Sequence, residues 1–138
     1  MPLSQYHTGR LVDHIHLRTQ DLEATKRFYR AVLDVLAIPC RETAEYLSAD
    51  ELWIDAGEPP SHVHLAFQAS DRGTVHRFHA AALAAGGRDN GTPGERHYHL
   101  GYYAAFVLDP DGNNIEAVYH GPSTRSAEAV VITPETGS

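Results

Sequence analysis

The chain is poor in cysteine, in positive charge and in long apolar runs, and each shortage removes a class of function. A single cysteine, Cys40, among 138 residues excludes an intramolecular disulfide and fits a reducing compartment. No basic or histidine-rich stretch surrounds it, so Cys40 reads as a small buried hydrophobe rather than a nucleophile. Lys and Arg number 11 against 18 Asp and Glu, a formal net charge of -7, which argues against holding nucleic acid through clustered cations. No apolar run approaches the roughly 20 residues that span a bilayer. The polar start, Met1-Pro2-Leu3-Ser4-Gln5, lacks the basic and apolar regions of a signal peptide. The expectation is a cytoplasmic protein whose partner is a small molecule, with neither nucleic acid nor membrane involved.

What the chain has in excess is histidine, ten residues of 138. Its length suits one domain spanning 1–138, able to bury roughly 68–70% of its unfolded surface. Within that domain the first half recurs in the second at an offset of fifty residues: His14 falls on His64, Asp21 on Asp71, Arg27 on Arg77, Phe28 on Phe78 and Leu33 on Leu83. Such register points to one supersecondary unit used twice. Module one runs from about 11 to 57, a linker from 58 to 61, module two from about 62 to 120, and a tail from 121 to 138.

Each module reads as strand, helix, strands. Leu11 to Arg18 alternates as a strand, Asp21 caps a helix, and Leu22, Thr25, Phe28, Val32 and Leu36 recur at helical spacing until Pro39. Tyr46 to Ser48 and Leu52 to Asp55 read as short strands. From His62 the pattern restarts with a strand through Ala69, a cap at Asp71 and a helix with Val75, Phe78, Ala82 and Leu83 inward, ended by Gly86-Gly87. Asp89 to Gly94 reads as a flexible loop. Tyr102 to Leu108 and Asn114 to His120 form a hairpin around Asp109-Pro110-Asp111-Gly112. In the tail, Ala129 to Thr133 can add an edge strand or pack on a partner subunit.

Three H-x-H triplets occur, His14/His16, His62/His64 and His97/His99, and on a strand each pair shares a face. The repeat discriminates among them, because His16 falls on Ala66 and His62 on Val12, leaving His14 and His64 as the equivalent pair. Glu116, between Ile115 and Ala117 on the last strand, offers a carboxylate. Two imidazoles and one carboxylate would leave positions on an ion open to water and substrate. Glu116's counterpart in module one lies near Ile54 or Asp55, which makes Asp55 a candidate fourth ligand. In the segment Arg96 to Tyr103, His99 and Tyr103 are candidate proton donors or acceptors, and Tyr102, Phe106 and Trp53 read as packing aromatics.

His14 seven residues before Asp21, then Arg27-Phe28-Tyr29, His64 heading the second unit, and Asp109-Pro110-Asp111-Gly112-Asn113-Asn114-Ile115-Glu116 near the end together resemble the vicinal oxygen chelate superfamily of glyoxalases, bleomycin resistance proteins and extradiol dioxygenases. The resemblance covers about Val12 to His120. It implies an α+β fold of two paired βαβββ modules forming a cupped, barrel-like sheet, and a homodimer. It also implies one divalent ion, iron, zinc, manganese or nickel, on His14, His64 and Glu116. The activity implied is a lyase, isomerase or dioxygenase step on a substrate with vicinal oxygens, with Glu116 as ligand or proton carrier. The alternative implied is a metal-free protein that sequesters a drug, as bleomycin-binding relatives do.

Overall fold

The computed structural model describes residues 5–125 and 129–134. In chain order the elements of the first half are β1 (Tyr6–Thr8), β2 (Ile15–Thr19), α1 (Leu22–Val35), β3 (Arg41–Glu42), β4 (Tyr46–Ala49) and β5 (Leu52–Ala56). The second half follows with β6 (His64–Gln68), α2 (Arg72–Ala84), β7 (Arg88–Glu95), β8 (Tyr103–Leu108), β9 (Asn114–Tyr119) and β10 (Val130–Ile132). The two halves build two four-stranded sheets of the same order, β2-β5-β4-β3 and β6-β9-β8-β7. In each the first pair is parallel and the rest antiparallel. These are the paired βαβββ modules that the resemblance implies, and the repeated unit of strand, helix and strands that the sequence shows.

Local chemistry starts both helices alike. Asp21 accepts from the Ala24 amide at 3.1 Å and Asp71 from the Thr74 amide at 2.7 Å, satisfying one otherwise unpaired amide in each first turn. Their inward stripes meet in one core: Phe28, Tyr29 and Val32 of α1 pack with Phe78 and Ala82 of α2, against Leu17, Leu47 and Ile54 of one sheet and Val107, Ile115 and Ala117 of the other. Leu83, expected inward, is 40% exposed, because it lies one residue, about 100° of helix rotation, past Ala82. At the helix end Gly87 allows close approach, since a Cβ there would lie 2.7 Å from the Phe28 ring and 2.8 Å from the Ala82 carbonyl oxygen.

The expected loop at 89–94 is instead part of β7. Its pairing with β8 shifts register between Asp89 and Gly91 and again between Gly91 and Gly94, so the glycines that suggest a loop are absorbed as irregularities in an edge strand. The hairpin that follows is as expected, with the Gly112 amide donating to the Asp109 carbonyl at 2.9 Å and Gly112 at a φ of 87°. In the tail β10 does pair, but with β1, forming a separate two-stranded ribbon. Among the described residues no helix is long and apolar enough to cross a membrane.

Because Leu17, Ile54, Ile115 and Ala117 point into the shared core, strand alternation sends His16, Trp53, His64 and Glu116 to the opposite, outer faces of the two sheets. The fold therefore presents two outward faces, one per module.

Candidate metal centre

On the outer face of the second sheet, Glu116 lies between Ala66 of β6 and Phe106 of β8, with His64 one pleat away. Glu116 is only 2% exposed. Its Oε1 lies 2.8 Å from His64 Nε2, and its Oε2 accepts from the Tyr102 hydroxyl. Among the described residues no lysine or arginine pairs with this buried carboxylate. Burial, followed by the hydrogen bond to Glu116, pushes the Tyr102 phenol well above its usual pKa, so it stays protonated and donating. The His64 side chain is 53% exposed, and its ring sits 5.9 Å from that of Phe106.

Around Tyr102 the rings of Tyr98, His99 and His120 stand edge-on at centroid distances of 4.9, 5.4 and 5.3 Å. His99 Nδ1 faces the Leu100 carbonyl at 2.9 Å and its Nε2 lies 2.8 Å from His120 Nδ1. The carbonyl accepts only, so geometry assigns the Nδ1 proton of His99 and leaves Nε2 for the His120 contact.

On the outer face of the first sheet the side chains turn elsewhere. His14 Nδ1 lies 2.7 Å from Asp13 Oδ1 on an exposed corner. His16 Nε2 lies 2.7 Å from Asp55 Oδ1, and the Trp53 indole N–H donates to Asp55 Oδ2 at 3.3 Å. The His16 hydrogen bond holds the Asp55 carboxyl below its usual pKa. So the two members of this H-x-H triplet face different carboxylates.

The strand register corrects the expected counterpart of Glu116. Ala66 pairs with Glu116 and His16, fifty residues before Ala66, pairs with Trp53, so Trp53 and not Ile54 or Asp55 holds the equivalent place. Asp55 lies on the same face one pleat further along, bonded to His16.

The structure thus brings His64 and Glu116 together and leaves His14 outside: among the described residues no three His, Cys, Asp or Glu side chains gather in a way that holds a metal ion. It places Tyr103 on the helix-facing side of its sheet, its hydroxyl 2.6 Å from His76 Nε2 and the Arg72 guanidinium 4.4 Å over its ring. The side chain that reaches Glu116 is Tyr102, expected only to pack. Strand parity is the signal that finds it, since Tyr102 shares a face with Ala104 and Phe106, and Phe106 pairs with Glu116. His99 lies beside Tyr102, bonded to His120. Cys40 is half-buried, and burial pushes its thiol up, as suits an unreactive residue.

One βαβββ module used twice, with a histidine and carboxylate pair on the outer face of each copy, His16 with Asp55 and His64 with Glu116, is the architecture that the chain presents. The chain belongs to the Glyoxalase/Bleomycin resistance protein/Dioxygenase superfamily, whose family model matches residues 11–117. Among solved structures it is similar to a glyoxalase/bleomycin resistance protein from Albidiferax ferrireducens T118, with 30% identity, 78% of this chain and 97% of that chain covered, and a TM-score of 0.66. It shares its fold with a glyoxalase/bleomycin resistance protein/dioxygenase family enzyme from Burkholderia phytofirmans PsJN, at 21% identity, 77% and 95% coverage and a TM-score of 0.61. The fold also matches a lactoylglutathione lyase from Agrobacterium tumefaciens, at 19% identity, 79% and 92% coverage and a TM-score of 0.57. No curated protein matches.

Proposed function

We propose that the chain is a divalent-metal-dependent enzyme acting on a small molecule with two neighbouring oxygens, and that His64 and Glu116 hold the ion. The observation that carries this reading is the Glu116 carboxylate, 2% exposed, with an imidazole and a phenol as its side-chain partners. A buried carboxylate of that kind is favoured when paired with a cation, and an imidazole nitrogen 2.8 Å away supplies a second donor of the type that zinc, iron, manganese and nickel accept.

The third donor is His14 of a second copy. Within one chain His14 does not join the pair and its side chain is exposed, so a homodimer that lays the first sheet of one copy over the second sheet of the other would supply it. When bound, the ion would act as a Lewis acid that stabilises negative charge developing on the substrate oxygens. The chain's own residues set the geometry. Tyr102 donates to one Glu116 oxygen, and the other would be the one to hold the ion. His99 and His120, bonded to each other, stand beside the Tyr102 ring at the edge of the site.

Anaerobic purification followed by elemental analysis tests this. The expected result is one ion per chain, lost on His64→Ala; ferrous iron would point to oxygen chemistry, zinc or nickel to isomerisation. A protein that takes up no metal yet binds a planar drug would replace the enzyme by a sequestering protein. A second expectation concerns Tyr102: Tyr102→Phe removes the hydrogen bond that orients Glu116 and weakens metal affinity about 10–100-fold, read by competition with a chelator. An unchanged affinity would show that the phenol has no part in holding the ligand.

A further inference from the structure

Two adjacent tyrosines stand where β8 begins, and neighbours on a strand point to opposite faces. Tyr103 turns to the helix side and Tyr102 to Glu116. The ladder by itself holds this start weakly. Tyr102 precedes the first residue of β8, and on the β7 side the pairing shifts register twice before Glu95 meets Tyr103. Beyond that pair Leu100 stands fully in solvent, and the loop touches the end of β9 through His99 and His120.

The first turns of α2 fix the helix side. Asp71 caps the helix and sets its rotation, and Arg72 and His76, four residues apart, then lie on one face. His76 Nε2 meets the Tyr103 hydroxyl at 2.6 Å, and the Arg72 guanidinium covers the Tyr103 ring at 4.4 Å while pairing with Glu95 at 2.9 Å. Glu95 is the cross-strand partner of Tyr103, so the helix grips both strands at the base of the loop. The Arg72 and Glu95 pair is open to solvent and contributes little alone. Burial decides instead: Tyr103 is 9% exposed, packed with Val75 and Ala105, and a hydroxyl in that setting needs the partner that His76 supplies.

We propose that His76 is a positioning residue: by holding Tyr103 on the helix side of β8, it aims Tyr102 at the Glu116 carboxylate on the other side. A one-residue slip at this start would turn the wrong phenol to the carboxylate. The consequence for a bound ion rests on the metal-centre reading above, whereas the aim of Tyr102 is a property of the chain alone.

Tyrosines labelled with carbon-13 at Cζ are read by NMR at neutral pH in metal-free protein, Tyr102 being assigned by the signal that Tyr102→Phe removes. A phenol that donates to a carboxylate resonates apart from a solvated one. In His76→Ala and in Tyr103→Phe the Tyr102 signal is expected to move toward the solvated position. In His76→Gln, whose amide can either donate to the hydroxyl or accept from it, the signal should stay. Tyr103→Phe keeps the ring under Arg72, so it carries the test alone if His76→Ala unfolds. A Tyr102 signal unmoved in folded Tyr103→Phe, or displaced as far in His76→Gln as in His76→Ala, overturns the proposal and leaves the metal centre standing. In competition with a chelator, His76→Ala is expected to weaken zinc binding roughly threefold to tenfold, short of the roughly 10–100-fold of a direct outer-shell partner, and to cost nothing further in Tyr102→Phe. A loss that persists in Tyr102→Phe overturns the route through Tyr102. No zinc uptake by the unmodified protein would end the metal-centre reading alone, because the tyrosine signals decide the aim of Tyr102 without an ion.

Discussion

Replacing Glu116 with glutamine is expected to yield a folded protein whose grip on divalent ions is weakened more than 100-fold, beyond the roughly 10–100-fold that outer-shell changes cost. Glutamine keeps the size of the side chain that fills this 2%-exposed position. Its carboxamide oxygen can still accept from Tyr102, and its NH2 can donate to His64 Nε2, so the polar contacts seen around Glu116 survive the change. What disappears is the negative charge, and a neutral amide is a poor ligand for a hard or borderline ion. Elemental analysis after dialysis against zinc, alongside circular dichroism, reads both halves of this expectation. Metal bound as tightly by Glu116→Gln as by the unmodified chain would remove the carboxylate from the centre. A lost fold would mean instead that its charge serves stability.

The largest loss of stability is expected from Asp109→Ala. Asp109 is 2% exposed and begins the β8–β9 turn. Its Oδ2 accepts from the Tyr29 hydroxyl at 2.5 Å and from Asn113 Nδ2 at 2.9 Å, while Oδ1 accepts from the amides of Asp111 at 3.0 Å and Asn113 at 2.9 Å. The carboxylate therefore ties helix α1 of module one to the last hairpin of module two. Alanine would strand Tyr29, which is fully buried, together with Asn113, at a cost of about 3–5 kcal/mol. Against a typical total of roughly 5–15 kcal/mol, that consumes much of the stability. Tyr29→Phe removes one charge-assisted hydrogen bond and should cost less, about 1.5–3 kcal/mol. Urea unfolding measures both, and a loss under about 1 kcal/mol for Asp109→Ala would show that water replaces the carboxylate at little cost.

The same contact gives stability an alkaline limit. Burial first, and the Asp109 charge second, raise the Tyr29 phenol well above 10.0 in the folded protein, whereas the unfolded chain's phenol ionises near its ordinary value. Because the folded pKa is the higher one, the contribution is complete below pH 10 and is lost as pH climbs from there toward the folded pKa. The urea midpoint should fall above pH 10, more gently in Tyr29→Phe, and identical slopes in the two proteins would exclude Tyr29 as the cause.

Much of the architecture can be read from short stretches of chain. Asp21 and Asp71 cap helices through amides three residues away, and Asp109 to Gly112 closes its own turn, so each of these features is legible from neighbours in sequence. His14 and His64 are found as equivalents because β2 and β6 each precede a helix at the same short distance. Errors begin where the partner is remote. Gly91 and Gly94 suggest a loop until β8 lies beside them, and Leu83 suggests a core residue until the direction of the α2 stripe is set by Phe28 and the sheet.

The candidate site divides along the same line. The sequence by itself determined the doubled module and its helix boundaries, because repetition and local hydrogen bonding leave their pattern in adjacent residues, and it named His14, His64 and Glu116 as candidate donors. Only the tertiary structure decided that Tyr102 rather than Tyr103 reaches Glu116, that Trp53 stands where a second carboxylate was sought, and that His14 stays apart from its partners within one chain. Trp53 and Glu116 are sixty-three residues apart whereas His16 and Ala66 are fifty apart, so a constant offset cannot align the last strands of the two modules. Pairing register is set by loop lengths and bulges across the whole sheet, and shifting it by one residue sends every side chain of a strand to the other face.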